Sequence, residues 1–497
     1  MTQFLTPEER AKLDQGGVRL RAIGRDDRPD ALPFEYLSEL DAARYFANEY
    51  GDCVRHCEAA GGWLLWDGKR WKLDDDGGIY RLAAGATDKI CALATESNIN
   101  DEDRRKLFNF AIALRKKRGL DNVIALAATE ANIAVGDPSR FDSNRWLLNV
   151  ENGTIDLRTG ILRPHDRTDL ITKLIPLRFD STSPCDRWLS ALNEIFDQDQ
   201  EIVNFVQRAT GYSLTGVTTE HAFLVLYGTG KNGKSTLLAL IGEVLGEYAM
   251  TAAPETFVNR QPGAPTNDLA RLRGARFVAA METSEGRALA ESFVKTVTGG
   301  DRITVRRLYC EHFEFWPTFK LWLGTNHKPV IKGGDDGIWR RVRLIPFERR
   351  FDGERADPNL REKLETELPG ILAWAVRGCL EWQKHGLPMP QAVADATASY
   401  RSEMDTLRSF IEERCTIDSH ARALAGALYR EYRLWAEAAG EKPLSQRWFG
   451  LRLSERGFTA KRSRNQRTWE GVGLRQDGEH DVDGVDDSLQ YGRATLV

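Results

Sequence analysis

The chain has 497 residues, 41% of them hydrophobic and 29% charged, with a formal net charge of −4. That is the make-up of a soluble globular protein of about three domains, and it excludes a uniformly basic nucleic-acid coat. No apolar run is long enough to span a membrane, the first residues are polar and charged rather than a secretory signal, and seven scattered cysteines fit a reducing compartment such as the cytoplasm.

Taken in chain order, residues 1–40 read as a partly disordered leader with one short helix. Residues 41–185 read as a mixed α+β domain. In it Trp63–Trp66 and Arg70–Leu73 flank Asp67-Gly68-Lys69 as a hairpin, and a helical stretch runs from about Thr87 to Ala134. Trp146–Val150 and Gly153–Leu157 pair around Glu151-Asn152. Cys53 and Cys57 flank His56, but no second Cys/His pair lies nearby to complete a zinc site. Residues 186–386 read as an α/β core. Its first part, 186–215, is helical, with Trp188, Leu189, Leu192, Phe196, Val203 and Val206 as packing positions. From 220 to 350 apolar strands alternate with helices, the pattern of a mostly parallel sheet. A helix over 360–385 stops before the linker Gly386-Leu387-Pro388-Met389-Pro390. Residues 391–472 give helices and then a ribbon. Leu444, Trp448 and Leu451 share one helical face, and strands at 458–460 and 468–469 flank a basic turn, Lys461 to Arg467. That order suits a winged-helix-like domain. Residues 473–497 form an acidic tail expected to be disordered.

The most informative segment is Gly228-Thr229-Gly230-Lys231-Asn232-Gly233-Lys234-Ser235-Thr236, directly after the apolar run Ala222–Tyr227. It is a full G-x-x-x-x-G-K-[ST] loop between a buried strand and an apolar helix. Glycines let successive N–H groups turn inward as an anion nest, and the following helix adds its N-terminal dipole. Lys234 then reaches the β- and γ-phosphates of ATP, and Ser235 ligates Mg²⁺.

Three elements follow. Arg276–Glu282 is an apolar strand ending in a carboxylate; set beside the phosphate-loop strand, Glu282 would polarise the attacking water and help hold Mg²⁺. Phe319–Asn326 is a second apolar strand, capped by an amide that senses the γ-phosphate or simply ends the strand. Gly337-Ile338-Trp339-Arg340-Arg341-Val342-Arg343 supplies an arginine for a neighbouring subunit's site, Arg340 first and Arg341 second, unless it is only a basic strand edge. Between Glu282 and Asn326, residues 295–309 and the return strand 312–315 read as a hairpin whose cations either grip DNA or are merely solvated.

These residues carry a resemblance. GTGKNGKST (228–236), METSEGR (281–287), KTVTGGDRITVRRLY (295–309), FKLWLGTNHKP (319–329) and DDGIWRRVRLIPF (335–347) together resemble the superfamily III helicases, in the primase-helicase branch of phages, plasmids and large DNA viruses. NVENGTIDLRTGILRPHD (149–166) is similar to that family's helicase-associated N-terminal domain. The resemblance implies an AAA+-type P-loop ATPase core, ATP and Mg²⁺ as cofactors, a homo-oligomeric ring of hexamer type and 3′→5′ movement on single-stranded or forked DNA. It assigns Lys234 to phosphate, Ser235 to metal, Glu282 to catalysis, Asn326 to sensing and Arg340 or Arg341 to the trans-acting finger. Lys295, Arg306 and Arg307 fall in its DNA-contacting stretch. Many members of the wider superfamily carry adjacent acidic residues at this strand end, whereas here Thr283-Ser284-Glu285 follow Glu282, so Glu282 and Glu285 both remain open as the metal carboxylate. About 40 residues precede the associated domain, too few for a primase–polymerase fold, so primer synthesis is not expected.

The expected function is therefore an ATP-dependent DNA helicase of a phage or mobile element, acting in a bacterial host with a separate primase or host replication proteins and no membrane. The alternative is an origin-binding initiator or loader that uses ATP as a switch, with Lys461, Arg462, Arg464 and Arg467 contacting DNA.

Overall fold

The computed structural model describes residues 34, 36–96, 99–257, 267–282, 288–306, 312–331, 336–353, 356–440, 443–463 and 466–475. The N-terminal unit opens with the helix Glu39–Tyr50, whose start is fixed by a reciprocal cap between Ser38 and Asp41. An antiparallel sheet follows, β1 (Val54–Cys57), β2 (Gly62–Trp66) and β3 (Trp71–Leu73), with Trp66 opposite Trp71. The Asp74 carboxylate then accepts from the N–H groups of Gly78 and Ile79 and starts the next helix at Gly78, earlier than the expected Thr87. The expected single stretch is three helices, Gly78–Glu96, Asp101–Leu114 and Lys117–Ala127, the second capped by Asn100. All pack around Phe46, Val54, Ile90, Leu107 and Val123.

A second antiparallel sheet, β4 (Leu147–Val150), β5 (Gly153–Asp156) and β6 (Ile161–Arg163), carries one strand more than expected. Its inward residues Leu148, Val150 and Ile155 share a core with the helices Asp186–Ile195, Gln200–Leu214 and Leu368–His385. Trp188 and Leu192 are buried there, whereas Leu189, expected to pack, is exposed.

The centre is a parallel five-stranded sheet, β7 (Phe223–Tyr227), β8 (Ala249–Thr251), β9 (Phe277–Glu282), β12 (Lys320–Thr325) and β13 (Val342–Pro346), in the order β13-β7-β12-β9-β8. Side chains alternate between its faces. Leu224, Leu226 and Trp322 enter the core of the helices just named and of the helix Lys234–Leu245. Phe223, Val225, Leu321 and Leu323 enter a separate core, with Val294, Val297 and Tyr400, on the other face. Strands covered on both faces must be apolar throughout, which is why these read as unbroken hydrophobic runs. β10 (Ile303–Arg306) and β11 (His312–Phe315) form an antiparallel hairpin beside this second core.

Two buried cations clasp the sheet at the end where its strands begin. Arg276 donates to the carbonyls of Leu214 and Leu147, both at 2.7 Å, and Lys320 to those of Thr215, Val217 and Thr318. Burial lowers both pKa values, and the rings of Tyr248 and Tyr212 face the two charges. Leu147 opens β4, so this clasp also seats the second sheet on the core.

The C-terminal unit runs helix Thr406–Arg414, β14 (Cys415–Leu424), helices Ala425–Ala438 and Gln446–Glu455, then β15 (Thr459–Ser463) and β16 (Gln466–Leu474), paired in the order β14-β16-β15. The helix Gln446–Glu455 buries Phe449 and Leu453, one turn apart, and leaves Trp448 and Leu451 exposed, so the face expected to pack is the outer one. The strands of the ribbon extend to Ser463 and from Gln466, which places Lys461, Arg462 and Arg467 on strands rather than in a turn. No helix among the described residues is long and apolar enough to cross a membrane.

Candidate functional site

The parallel register sets the carboxyl ends of four strands level. Thr325 lies opposite both Tyr227 and Glu282, and Pro346 lies opposite Tyr227. Chain leaving these ends meets in one crevice, the usual position of a ligand in an open parallel sheet. The expectation that the Glu282 strand adjoins the loop strand is corrected here. β12 lies between β7 and β9, so Asn326 emerges between the glycine-rich loop and Glu282.

Gly228–Gly233 turns from β7 into the helix Lys234–Leu245 through three left-handed residues, Gly230 (φ 101°), Lys231 (φ 51°) and Gly233 (φ 87°). Gly233 occupies the cap position and offers no side chain to the first N–H groups of the helix. Such a terminus carries the positive end of the helix dipole and free donors, a site for an anion. The loop is tied down from outside by backbone. Phe347 donates to Tyr227 O and Phe351 to Lys231 O, each at 2.7 Å, and the Asn232 side-chain amide donates to Phe347 O at 3.0 Å.

Lys234 is the buried charge of the crevice. Its Nζ donates to Gly228 O at 2.6 Å, Asn232 Oδ1 at 2.9 Å and Asn326 Oδ1 at 3.1 Å. An ammonium can only donate, so both amides must turn their oxygens to it, which leaves the Asn326 NH₂ directed elsewhere. Loss of hydration brings the Lys234 pKa down to about 8. Its charge therefore weighs against folding below about pH 8, and that penalty lifts as pH rises toward the unfolded lysine value of 10.5. Ser235 is exposed beside it. Thus Lys234, Asn326 and the loop converge, and the backbone of Glu282 ends two strands away; Glu285 and Arg307 lie outside the described residues.

Neither arginine candidate shares this end of the sheet. Arg341 O accepts from the N–H of Phe223, the first residue of β7, so Arg340 and Arg341 lie a strand length away, roughly 15 Å. Arg341 is held inside its own subunit, Nε donating to Thr298 Oγ1 at 3.0 Å and a second nitrogen to Gly337 O at 2.5 Å. Those bonds tie Arg341 to the helix Glu291–Gly299 and to Gly337, shortly before β13. Arg340 is exposed. Lys295 is half-buried on that same helix rather than on the hairpin, and Arg306 ends β10. In the C-terminal ribbon Lys461 is paired with Glu470 at 2.8 Å, Arg462 faces Arg467, and Arg464 lies outside the described residues.

Sequence reasoning missed a cavity of about 400 Å³ behind the loop, lined by Trp188, Ile195, Lys231, Gly233, Phe351, Leu360 and Leu364. Its walls come from three separated segments and have no local signal. It also missed the Phe347 carbonyl, since a backbone acceptor carries no sequence signature. Steric room in the loop is uneven: a Cβ at Gly228 would collide with Phe347 O and the Asn232 amide, whereas one at Gly230 meets open space. Gly228→Ala should cost about 1–3 kcal/mol in urea unfolding through overpacking. Gly230→Ala should cost only about 1–2 kcal/mol of left-handed strain and leave the Lys234 contacts intact.

Residues 43–197 match the family model described as "D5 N terminal like", and residues 226–341 match a family of unknown function, DUF5906. A mimivirus protein named "Putative helicase L207/L206" is 29% identical over 67% of this chain and 38% of its own length. "Putative helicase 022R" of Frog virus 3 is 29% identical over 52% of this chain and 29% of its own. An African swine fever virus "Putative primase C962R" is 25% identical over 55% and 31%. The match thus spans well under half the length of each viral relative. The solved apo C-terminal region of NrS-1 covers 60% of this chain and 78% of its own at 12% identity, with a TM-score of 0.37. The N-terminal match and the viral relatives make the chain similar to the D5-like primase-helicases of large DNA viruses.

Proposed function

We propose that this chain is the ATP-driven motor subunit of a DNA helicase, working in a head-to-tail ring on single-stranded DNA. The observation that carries the reading is the Lys234 ammonium, buried at the N-terminus of a helix without a side-chain cap, where four parallel strands end level. That donor set fits a triphosphate with its metal. The loop N–H groups and Lys234 would hold the β- and γ-phosphates, and the 400 Å³ cavity behind the loop would take the base. Ser235 and Glu282 would hold Mg²⁺, which neutralises phosphate charge when bound. Asn326, its oxygen engaged by Lys234, would direct its NH₂ to the γ-phosphate or to the attacking water. Arg340, too far from its own loop, would serve the neighbouring subunit across a heterologous interface. Arg306, which ends β10, Arg307, which follows it in the sequence, and Lys295 on the helix Glu291–Gly299 would track the DNA backbone. The names of the viral relatives point the same way.

The order of elements in the C-terminal unit, helix–strand–helix–helix–hairpin, favours a winged-helix reading, and Arg462 opposite Arg467 gives its hairpin a cationic edge. This supports a second reading, an initiator or loader that binds duplex there and uses ATP as a switch. A forked duplex with a 3′ tail separates the two. The motor reading expects strand separation that needs MgATP and disappears in Lys234→Ala. ATP hydrolysis without any strand separation would favour the switch.

The lowered Lys234 pKa gives a pH signature. Below about pH 8 the lysine is already charged and this group leaves nucleotide affinity flat. Above it, binding must take up a proton, so MgATP affinity by calorimetry should fall, at most about tenfold per pH unit. Lys234→Arg should bind more weakly with that slope absent, because a guanidinium stays charged.

A further inference from the structure

A cleft of about 1040 Å³ lies at the opposite end of the parallel sheet from Lys234. Its floor is the starts of β8, β9 and β12, one wall is β3 and the segment before β4, and the other is the base of the β10–β11 hairpin. Eight cationic side chains line it against four carboxylates, in a chain whose net charge is −4.

The carboxylates are already engaged. Glu247 pairs with Arg70 and accepts from Leu174 N, Asp142 accepts from Thr172, Asp75 pairs with Lys72, and Glu314 pairs with Arg302. Arg145, Arg271 and Arg273 are left without an ion-pair partner among the described residues; Asp137 is only within electrostatic reach of Arg273. At the hairpin base Trp316 is 50% exposed, with the Arg302 guanidinium 4.8 Å from its ring centroid. An exposed indole paired with a guanidinium is a platform for an unpaired base, and a row of unpaired arginines beside it suits a phosphate backbone.

We infer that this cleft is a second strand-binding site, which takes single-stranded DNA between the N-terminal region and the core, continuous with the hairpin. Bases stack on Trp316, and Arg145, Arg271 and Arg273 hold phosphates. The assignment rests on the helicase reading for the identity of the polymer. It places DNA contact on the face away from the nucleotide, so strand binding there does not require nucleotide.

The test is fluorescence anisotropy of labelled oligothymidylate with the full chain, without nucleotide, across a salt series. The triple variant Arg145→Ala, Arg271→Ala, Arg273→Ala should bind at least about tenfold more weakly, with the salt slope reduced by roughly 2. The matching lysine triple should keep most of that affinity, which separates charge from folding. Trp316→Ala should weaken binding about five- to hundredfold, and Trp316→Phe should recover most of it. Wild-type affinity in the alanine variants, alongside loss in Arg306→Ala, would overturn the cleft and leave the helicase reading standing. Preference of the wild type for duplex over single strand would also overturn it. If the wild type bound no oligothymidylate at all, both readings would fall.

Discussion

The site depends on the shared parallel register of β7, β9, β12 and β13. Because these strands run the same way and end level, the glycine-rich loop, Asn326, Glu282 and the segment after Pro346 arrive at one edge. β12 carries the most of this constraint: every one of its residues is buried and it pairs on both sides. Lys234 then has a fixed set of oxygens to meet, one from the loop backbone, one from the loop and one from the end of β12. A buried ammonium held by neutral oxygens is an expensive arrangement, and its depressed pKa records that cost.

The other end of the sheet solves a different problem. Arg276 and Lys320 stand at the starts of adjacent strands, and both spend their donors on main-chain carbonyls, Arg276 on Leu214 and Leu147 and Lys320 on Thr215, Val217 and Thr318. These buried cations are satisfied and structural, whereas Lys234 is poised. The same residue types thus do two jobs, distinguished by their partners. The arginine-rich cleft lies at this same end of the sheet, beside the hairpin base.

Much of this was legible in the sequence where the signal is local. The run Ala222–Tyr227 and the loop after it mark a strand and a helix because apolar periodicity and glycine placement are short-range properties. The hairpins around Asp67-Gly68-Lys69 and Glu151-Asn152 were visible for the same reason. Strand order was not visible, since the apolar strands look alike and their pairing is decided by packing over a hundred residues. That is why Glu282 was set beside the loop strand when β12 intervenes. The helix Gln446–Glu455 misled for a related reason: Trp448 and Leu451 are apolar yet face outward, and the burial of Phe449 and Leu453 is decided by the ribbon beneath them. Arg341 stands second to Arg340 in the sequence, and the bonds to Thr298 and Gly337 that engage it were not visible there.

The geometry leaves Arg340 exposed, a strand length from the loop of its own chain, so a role in catalysis requires a second copy. The most direct measurement is ATP turnover by Lys234→Ala, by Arg340→Ala, and by an equal mixture of the two. The account predicts that each variant alone is inactive, with nucleotide binding kept in Arg340→Ala, and that the mixture regains part of the wild-type rate through mixed interfaces. Full turnover by Arg340→Ala alone, or no recovery on mixing under conditions where the two variants co-assemble, would contradict it.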